Sequence, residues 1–351
     1  MNEALNLGRR PMSPKRRFLT ALLGGKPDRI PVGNVVSATT IEQMRISDAW
    51  FPEAHANPQV MARLATAGHE LLGYDTLMPV FSVTQEAAAL GCAVDWGGPE
   101  DMPTVRSNPY AHTSEFSLPQ GWMEAPSIQV VLEALRLLRS SMRQQSGDRL
   151  VIVGKVMGPW TLSYHMMGME EFLVSTKLEP ERAHACLATL KAVTLAFARA
   201  QIQAGADIIC VADHASGGIV SPRAYCEFLL PIHQEIFGGI GAPTVLHCCG
   251  NTTDRVKYFA ETGVDCYHFE SQVDMPSAVA QARGKMTLMG NINNPTVLLK
   301  GSHAEVLAAC QKAILGGVQI LSPECAVPLI TPIDNLRALV EAAVIQNQTT
   351  S

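Results

Sequence analysis

Residues 204–218 read AGADIICVADHASGG, and this stretch decides the fold. Gly205 ends the helical pattern that runs from Pro180 to Ala204, because a left-handed cap strains glycine least. The run Asp207–Ala212 that follows is of strand length and apolar almost throughout, as a strand buried on both faces reads. It stops on the polar pair Asp213-His214. Helix, glycine, buried strand and polar strand end form one α/β unit, and the unit repeats outward in both directions.

Strand-length apolar runs recur at Ile30–Val36, Asp75–Val80, Leu150–Val156, Pro243–His247, Val264–Phe269, Met286–Gly290 and Val318–Ser322, which with Asp207–Ala212 makes eight. Helical patterns separate them, with start signals such as Ser221-Pro222 and the capping-box pair Ser302 and Glu305, and with stops at Gly205 and Gly263. Eight strands alternating with helices fit a closed barrel and, less well, an open doubly wound sheet. No glycine-rich dinucleotide motif follows the first run. Polar or metal-capable residues stand at many strand ends: Asp213, His247, Glu270, Asn291, and Glu324 with Cys325. In a barrel those ends converge on one face, where its chemistry lies.

The fold class expected is therefore α/β, a single (β/α)8 TIM barrel over residues 1–351 with an N-terminal helical extension. An insertion between strands two and three, residues 81–149, breaks the rhythm. It holds a Gly/Pro-rich portion from Gly97-Gly98-Pro99 through Pro119 and an amphipathic helix near Ile128–Arg143. A connection this long is expected to cover or shape a binding mouth; an ornamental insertion is the alternative.

Hydrophobic residues make up 47% of the chain and charged residues 17%, which excludes disordered and fibrous classes. A net charge of −5 without basic blocks points away from nucleic acid and anionic membranes, and toward small molecules or proteins. The start, MNEALNLGRRPMSPKRRFLTALLGG, has too short an apolar stretch to span a membrane and no small-residue cleavage site, so the expected location is cytoplasmic. Nine irregularly spaced cysteines argue against a disulfide framework, and each functional cysteine has to be argued singly.

One cluster carries that argument. The stretch PTVLHCCGNTTD, residues 243–254, ends the fifth run on His247-Cys248-Cys249. Residues two apart on a strand share a face, so His247 and Cys249 can converge while Cys248 turns away. Cys325 follows the eighth run in LSPECAVP, and strands five and eight can meet over a barrel mouth. Two thiolates and an imidazole select zinc, and three protein ligands leave a fourth position for substrate. Spacing alone leaves a second reading open, that these are ordinary buried core cysteines.

The chain resembles the uroporphyrinogen decarboxylase superfamily and, within it, the methylcobalamin:coenzyme M methyltransferases, which are marked by His-x-Cys and a distant Cys. The resemblance runs through RIPVG, GYDTLMPVFSVTQEAAALG, GKVMGPWTL, AGADIICVADHASGG, VLHCCGNT, LMGNINNPTVLLKG and LSPECAVPLITPIDNLRALV. It implies a TIM barrel, zinc on His247, Cys249 and Cys325, and methyl transfer from a methylated corrinoid to a thiol such as coenzyme M. The decarboxylase branch fits poorly: where decarboxylases carry an arginine-rich stretch after the first strand, this chain reads PVGNVVSATT, with no arginine until Arg45.

The ligand set implies a mechanism. A zinc-bound thiol loses its proton near neutral pH while its sulfur stays nucleophilic, and it can attack the methyl group on a corrinoid. The corrinoid is expected on a partner protein, since no Asp-x-His-x-x-Gly pattern occurs here. Glu86 and Asp213, the latter beside His214, are the candidate catalytic carboxylates; the alternative is that they only orient ligand side chains or cap a helix. Gly158-Pro159-Trp160 reads as a tight strand-to-helix turn. Lys155 inside an apolar strand either meets an acidic group of the thiol or snorkels outward. Two further readings are demethylation of a methylated substrate onto a corrinoid protein, and decarboxylation of a porphyrinogen without zinc.

Overall fold

The computed structural model describes residues 11–145, 149–282 and 284–350; the first ten residues of the expected N-terminal extension lie outside these. The extension contributes a helix, Pro14–Leu22, started by Ser13, whose side chain accepts the Arg16 amide. The strands in chain order are β1 (Thr76–Leu77), β2 (Val94–Asp95), β3 (Thr104–Val105), β4 (Val151–Met157), β5 (Ile208–Ala212), β6 (Thr244–His247), β7 (Cys266–Phe269), β8 (Thr287–Ile292) and β9 (Ile320–Pro323). Seven of them form one parallel sheet in the order β1-β4-β5-β6-β7-β8-β9, and β2 pairs antiparallel with β3 outside it. Each neighbour follows the last along the chain, so the sheet winds in one sense around a core of fully buried strands.

The first expected strand, Ile30–Val36, is not a regular strand. It reduces to a single parallel bridge between Val32 and Leu321, yet it still joins the two ends of the sheet. On one side Gly33 donates to the Leu321 carbonyl and Leu321 donates to Pro31; on the other Asp75 donates to Val32. The reason for the irregularity lies in side chains. Val32 N–H is taken by the Asp75 carboxylate at 3.0 Å and Asn34 N–H by the Thr76 hydroxyl at 3.0 Å, so groups that would build a backbone ladder are already satisfied. The ring closes through these bonds, and the fold is TIM-barrel-like.

Local signals match the helices that separate the strands. Ser221 caps Pro222–Ala224, and Ser302 with Glu305 forms both halves of a capping box on His303–Gly316. Pro180–Ala204 is long and apolar enough to cross a membrane by composition, but it packs on β4 and β5 and against Pro126–Gln145 and Leu230–Ile240. The insertion at 81–149 resolves into three parts. A short helix, Gln85–Ala89, comes first; the β2–β3 pair hangs over the mouth of the barrel; and Pro126–Gln145 packs against the helices beside it as the crossover to β4.

Candidate metal centre

His247 ends β6, and Cys249 lies two residues on. Cys325 lies two residues past β9, held there by its neighbour: Glu324 accepts the Asn294 amide with one oxygen and the Ser271 amide with the other, both at 2.8 Å. The result is a compact triad. His247 Nε2 is 3.0 Å from Cys249 Sγ and 3.5 Å from Cys325 Sγ, and the two sulfurs are 3.5 Å apart. Ligands around a tetrahedral zinc stand about 3.5 Å (N to S) and about 3.8 Å (S to S) apart, given bonds of about 2.0 and 2.3 Å. The donor set and its spacing therefore fit a zinc ion after an adjustment of a few tenths of an ångström. Cys248 is buried on the other side of the strand, its thiol pushed up to about 12 by burial.

The imidazole is prepared for such a role by residues the sequence reading did not single out. His268, on β7 in register with His247, is fully buried, and burial beside His247 lowers it to about 3. A neutral His268 has one N–H, and its Nε2 faces the Pro323 carbonyl at 2.8 Å, which can only accept. Nε2 therefore carries the proton, and Nδ1 is left as an acceptor for His247 Nδ1–H at 2.9 Å. The consequence falls on His247: its Nε2 is the unprotonated nitrogen, with the lone pair aimed at the cysteines. Cys325 is held well below the ordinary thiol range by the Cys249 S–H, while Cys249 is raised by the same contact and by burial.

The triad opens onto a cavity of about 620 Å³ walled by Val36, Phe81, Met157 and Ala212, with Met102 to Val105 of the insertion on its other side. His214 also lines it, lowered by burial and by His247. The two expected catalytic carboxylates sit differently. Asp213 lines the cavity, but both its oxygens are engaged: Oδ1 accepts from the Thr161 amide (2.7 Å) and hydroxyl, and Oδ2 from the Trp160 amide and His233 Nε2 (3.0 Å). It thus caps the helix Pro159–Met167, and Gly158 makes room for it, since a Cβ there would lie 2.2 Å from Asp213 Cγ. Glu86 is buried outside the cavity lining and spends Oε1 on the Met157 amide at 2.8 Å, an edge of β4 that the two-residue β1 does not reach. Glu270, at the end of β7, is the carboxylate that bears on the thiols; burial and the neighbouring Cys325 raise it.

Arg255 was likewise not signalled. Fully buried, it donates to the carbonyls of Ala215 (2.8 Å) and Val220 (2.5 Å) and so fixes the loop after β5 that forms part of the mouth. A lone arginine in a helical stretch carries no such message in sequence.

Comparison with known proteins agrees with this architecture. The family model described as uroporphyrinogen decarboxylase (URO-D) matches residues 13–344. A methylated-thiol–coenzyme M methyltransferase of Methanosarcina mazei is 33% identical over 94% of this chain and 89% of its own. A methylcobamide:CoM methyltransferase of Methanosarcina barkeri is 31% identical over 93% of this chain and 96% of its own. The solved structure of a methyltransferase from Methanosarcina mazei superposes with a TM-score of 0.91 at 30% identity, over 95% of this chain and 99% of that one. The chain belongs to the uroporphyrinogen decarboxylase family, on the branch occupied by the methylcobamide:coenzyme M methyltransferases.

Proposed function

We infer that this protein is a zinc-dependent methyltransferase that moves a methyl group from a methylated corrinoid, carried by a partner protein, to a thiol such as coenzyme M. One observation carries the reading: His247, Cys249 and Cys325 converge at an open cavity, with the His247 lone pair turned to the sulfurs by His268. Zinc held there supplies a positive centre that lowers the thiol's pKa yet, with two thiolates already bound, leaves its sulfur electron-rich. Cys249 and Cys325 set that charge balance, and His268 fixes His247.

The thiol's proton does not go to Asp213, which lines the cavity but has both oxygens filled; it leaves to solvent, directly or by way of Glu270, the carboxylate that bears on the thiols. The apolar walls, Val36, Phe81 and Met157, limit water around the sulfur. An S–C bond then forms as the Co–C bond breaks, with its electron pair left on cobalt as Co(I). Decarboxylation fits less well, since the cavity lining offers a single lysine and no arginine to grip a polycarboxylate.

The Methanosarcina mazei relative named for methylated thiols favours one further reading, demethylation of a thioether onto the corrinoid. Metal analysis and calorimetry separate the two. Purified protein is expected to hold one zinc per chain and to demethylate methylcobalamin only when a thiol is present. Thiol binding should release about one proton at pH 7, because a free thiol near pKa 8.5 is mostly protonated. Absence of zinc sinks the proposal; no proton release, with methylation of Co(I) by a methyl thioether, reverses the direction.

A further inference from the structure

Among the described residues, Lys155 is the one ammonium or guanidinium group lining the cavity that holds the triad. It sits within the fully buried strand β4 and is itself 2% exposed, so it has not snorkelled to water. No carboxylate lies within ion-pair distance of its ammonium among the described residues, and the ammonium's single hydrogen bond, to the Val36 carbonyl, is long at 3.4 Å. A buried ammonium so poorly compensated is costly to fold around, which makes it a group kept for a ligand rather than for stability. Glu86, whose charge bears on Lys155, makes no ion pair with it: it is raised by its own burial and spends one oxygen on the Met157 amide. Burial lowers Lys155 to about 8, which leaves it mainly cationic at pH 7.

Resting on the proposed methyl-transfer reading, we propose that Lys155 is the specificity-determining residue of the acceptor site: it pairs with an anionic group, sulfonate or carboxylate, at the far end of a short thiol whose sulfur reaches Cys249 and Cys325. The lysine selects acidic thiols and orients them, and takes no part in the bond changes at sulfur.

The test compares wild type with Lys155→Met and Lys155→Arg. Removal of an uncompensated buried charge is expected to leave the methionine variant folded and at least as heat-stable as wild type. With methylcobalamin as donor, wild type should prefer mercaptoethanesulfonate over mercaptoethanol. Lys155→Met should lose roughly 10- to 100-fold of that preference, the size of one charge-assisted hydrogen bond, through KM with kcat little changed. Lys155→Arg should recover part of it. A readout free of turnover is calorimetric titration with ethanesulfonate, which lacks a thiol: wild type should bind it and Lys155→Met should not. Retention of the preference and of ethanesulfonate binding by Lys155→Met overturns the assignment. If no thiol of either kind releases Co(I), the methyl-transfer reading fails, while the ethanesulfonate titration still decides the role of Lys155.

Discussion

Replacing His268 by phenylalanine probes the coupling between the barrel wall and the proposed zinc site. The aromatic ring is kept, and with it the packing against His247, whose ring centre lies 4.7 Å away. The hydrogen bond accepted from His247 Nδ1 at 2.9 Å is lost, and with it the contacts of Nε2 with the Pro323 carbonyl at 2.8 Å and with Ser322 Oγ at 3.1 Å. His247 then holds an N–H in a site where it is 4% exposed, with no acceptor. Leaving it so costs about 1–3 kcal/mol, and moving the proton to Nε2 removes the metal-binding lone pair. Either route weakens zinc binding by about 10- to 100-fold, or roughly 1.4–2.7 kcal/mol. Competition against a chromophoric chelator measures this directly, and the thermal shift produced by saturating zinc should shrink in step. Ser322→Ala is the control. Its hydroxyl touches His268 Nε2 at 3.1 Å, but the Pro323 carbonyl remains to fix the tautomer, so zinc affinity should change by less than about 2-fold. A folded His268→Phe protein that binds zinc as tightly as wild type refutes the tautomer argument.

Two further outcomes follow from the geometry. Cys249→Ala and Cys325→Ala should each lose bound zinc in metal analysis while Cys248→Ala keeps it, because only the first two sulfurs stand beside His247 Nε2; the reverse pattern would break the strand-facing argument. His55, 1% exposed and lowered to about 3 by burial and by Lys155, stays neutral in the fold, so its contribution is present above pH 6.5 and is lost as pH falls toward 3. At pH 5 that loss is about 2 kcal/mol, and denaturant unfolding of His55→Gln should show a flatter decline between pH 6.5 and 5 than wild type.

Much of the fold was legible because a strand buried on both faces writes itself as an apolar run. Asp207–Ala212 was expected and Ile208–Ala212 observed; Pro243–His247 was expected and Thr244–His247 observed. The run Ile30–Val36 is as apolar as the rest, and hydropathy could not separate it from them. What sets it apart is the use of the Asp75 carboxylate and the Thr76 hydroxyl as acceptors for its amides, and such side-chain bonds leave no periodic trace. The insertion was legible in position but not in kind, since only the three-dimensional arrangement shows Met102 to Val105 against the cavity.

At the site, the same contrast separates residues found by spacing from residues found by contact. The period of two along a strand brought His247 and Cys249 to one face, and the barrel rule brought Cys325 to them. Glu86 and Asp213 were chosen by type and place, and sequence does not show whether a carboxylate is free. Asp213 accepts four hydrogen bonds and Glu86 substitutes for a missing strand partner, whereas Glu270, chosen only as one polar strand end among several, is the carboxylate that bears on the thiols. His268 was hidden for a related reason. It lies inside an apolar strand, CYHF, where a histidine reads as core, and its meaning rests on one carbonyl 55 positions away along the chain. Because that carbonyl can only accept, it orders two imidazoles in series, and the state of the cysteine-facing nitrogen of His247 is decided by the backbone of β9. Cys325 leaves the same strand end two residues later, so a single segment positions one proposed zinc ligand and sets the protonation of another.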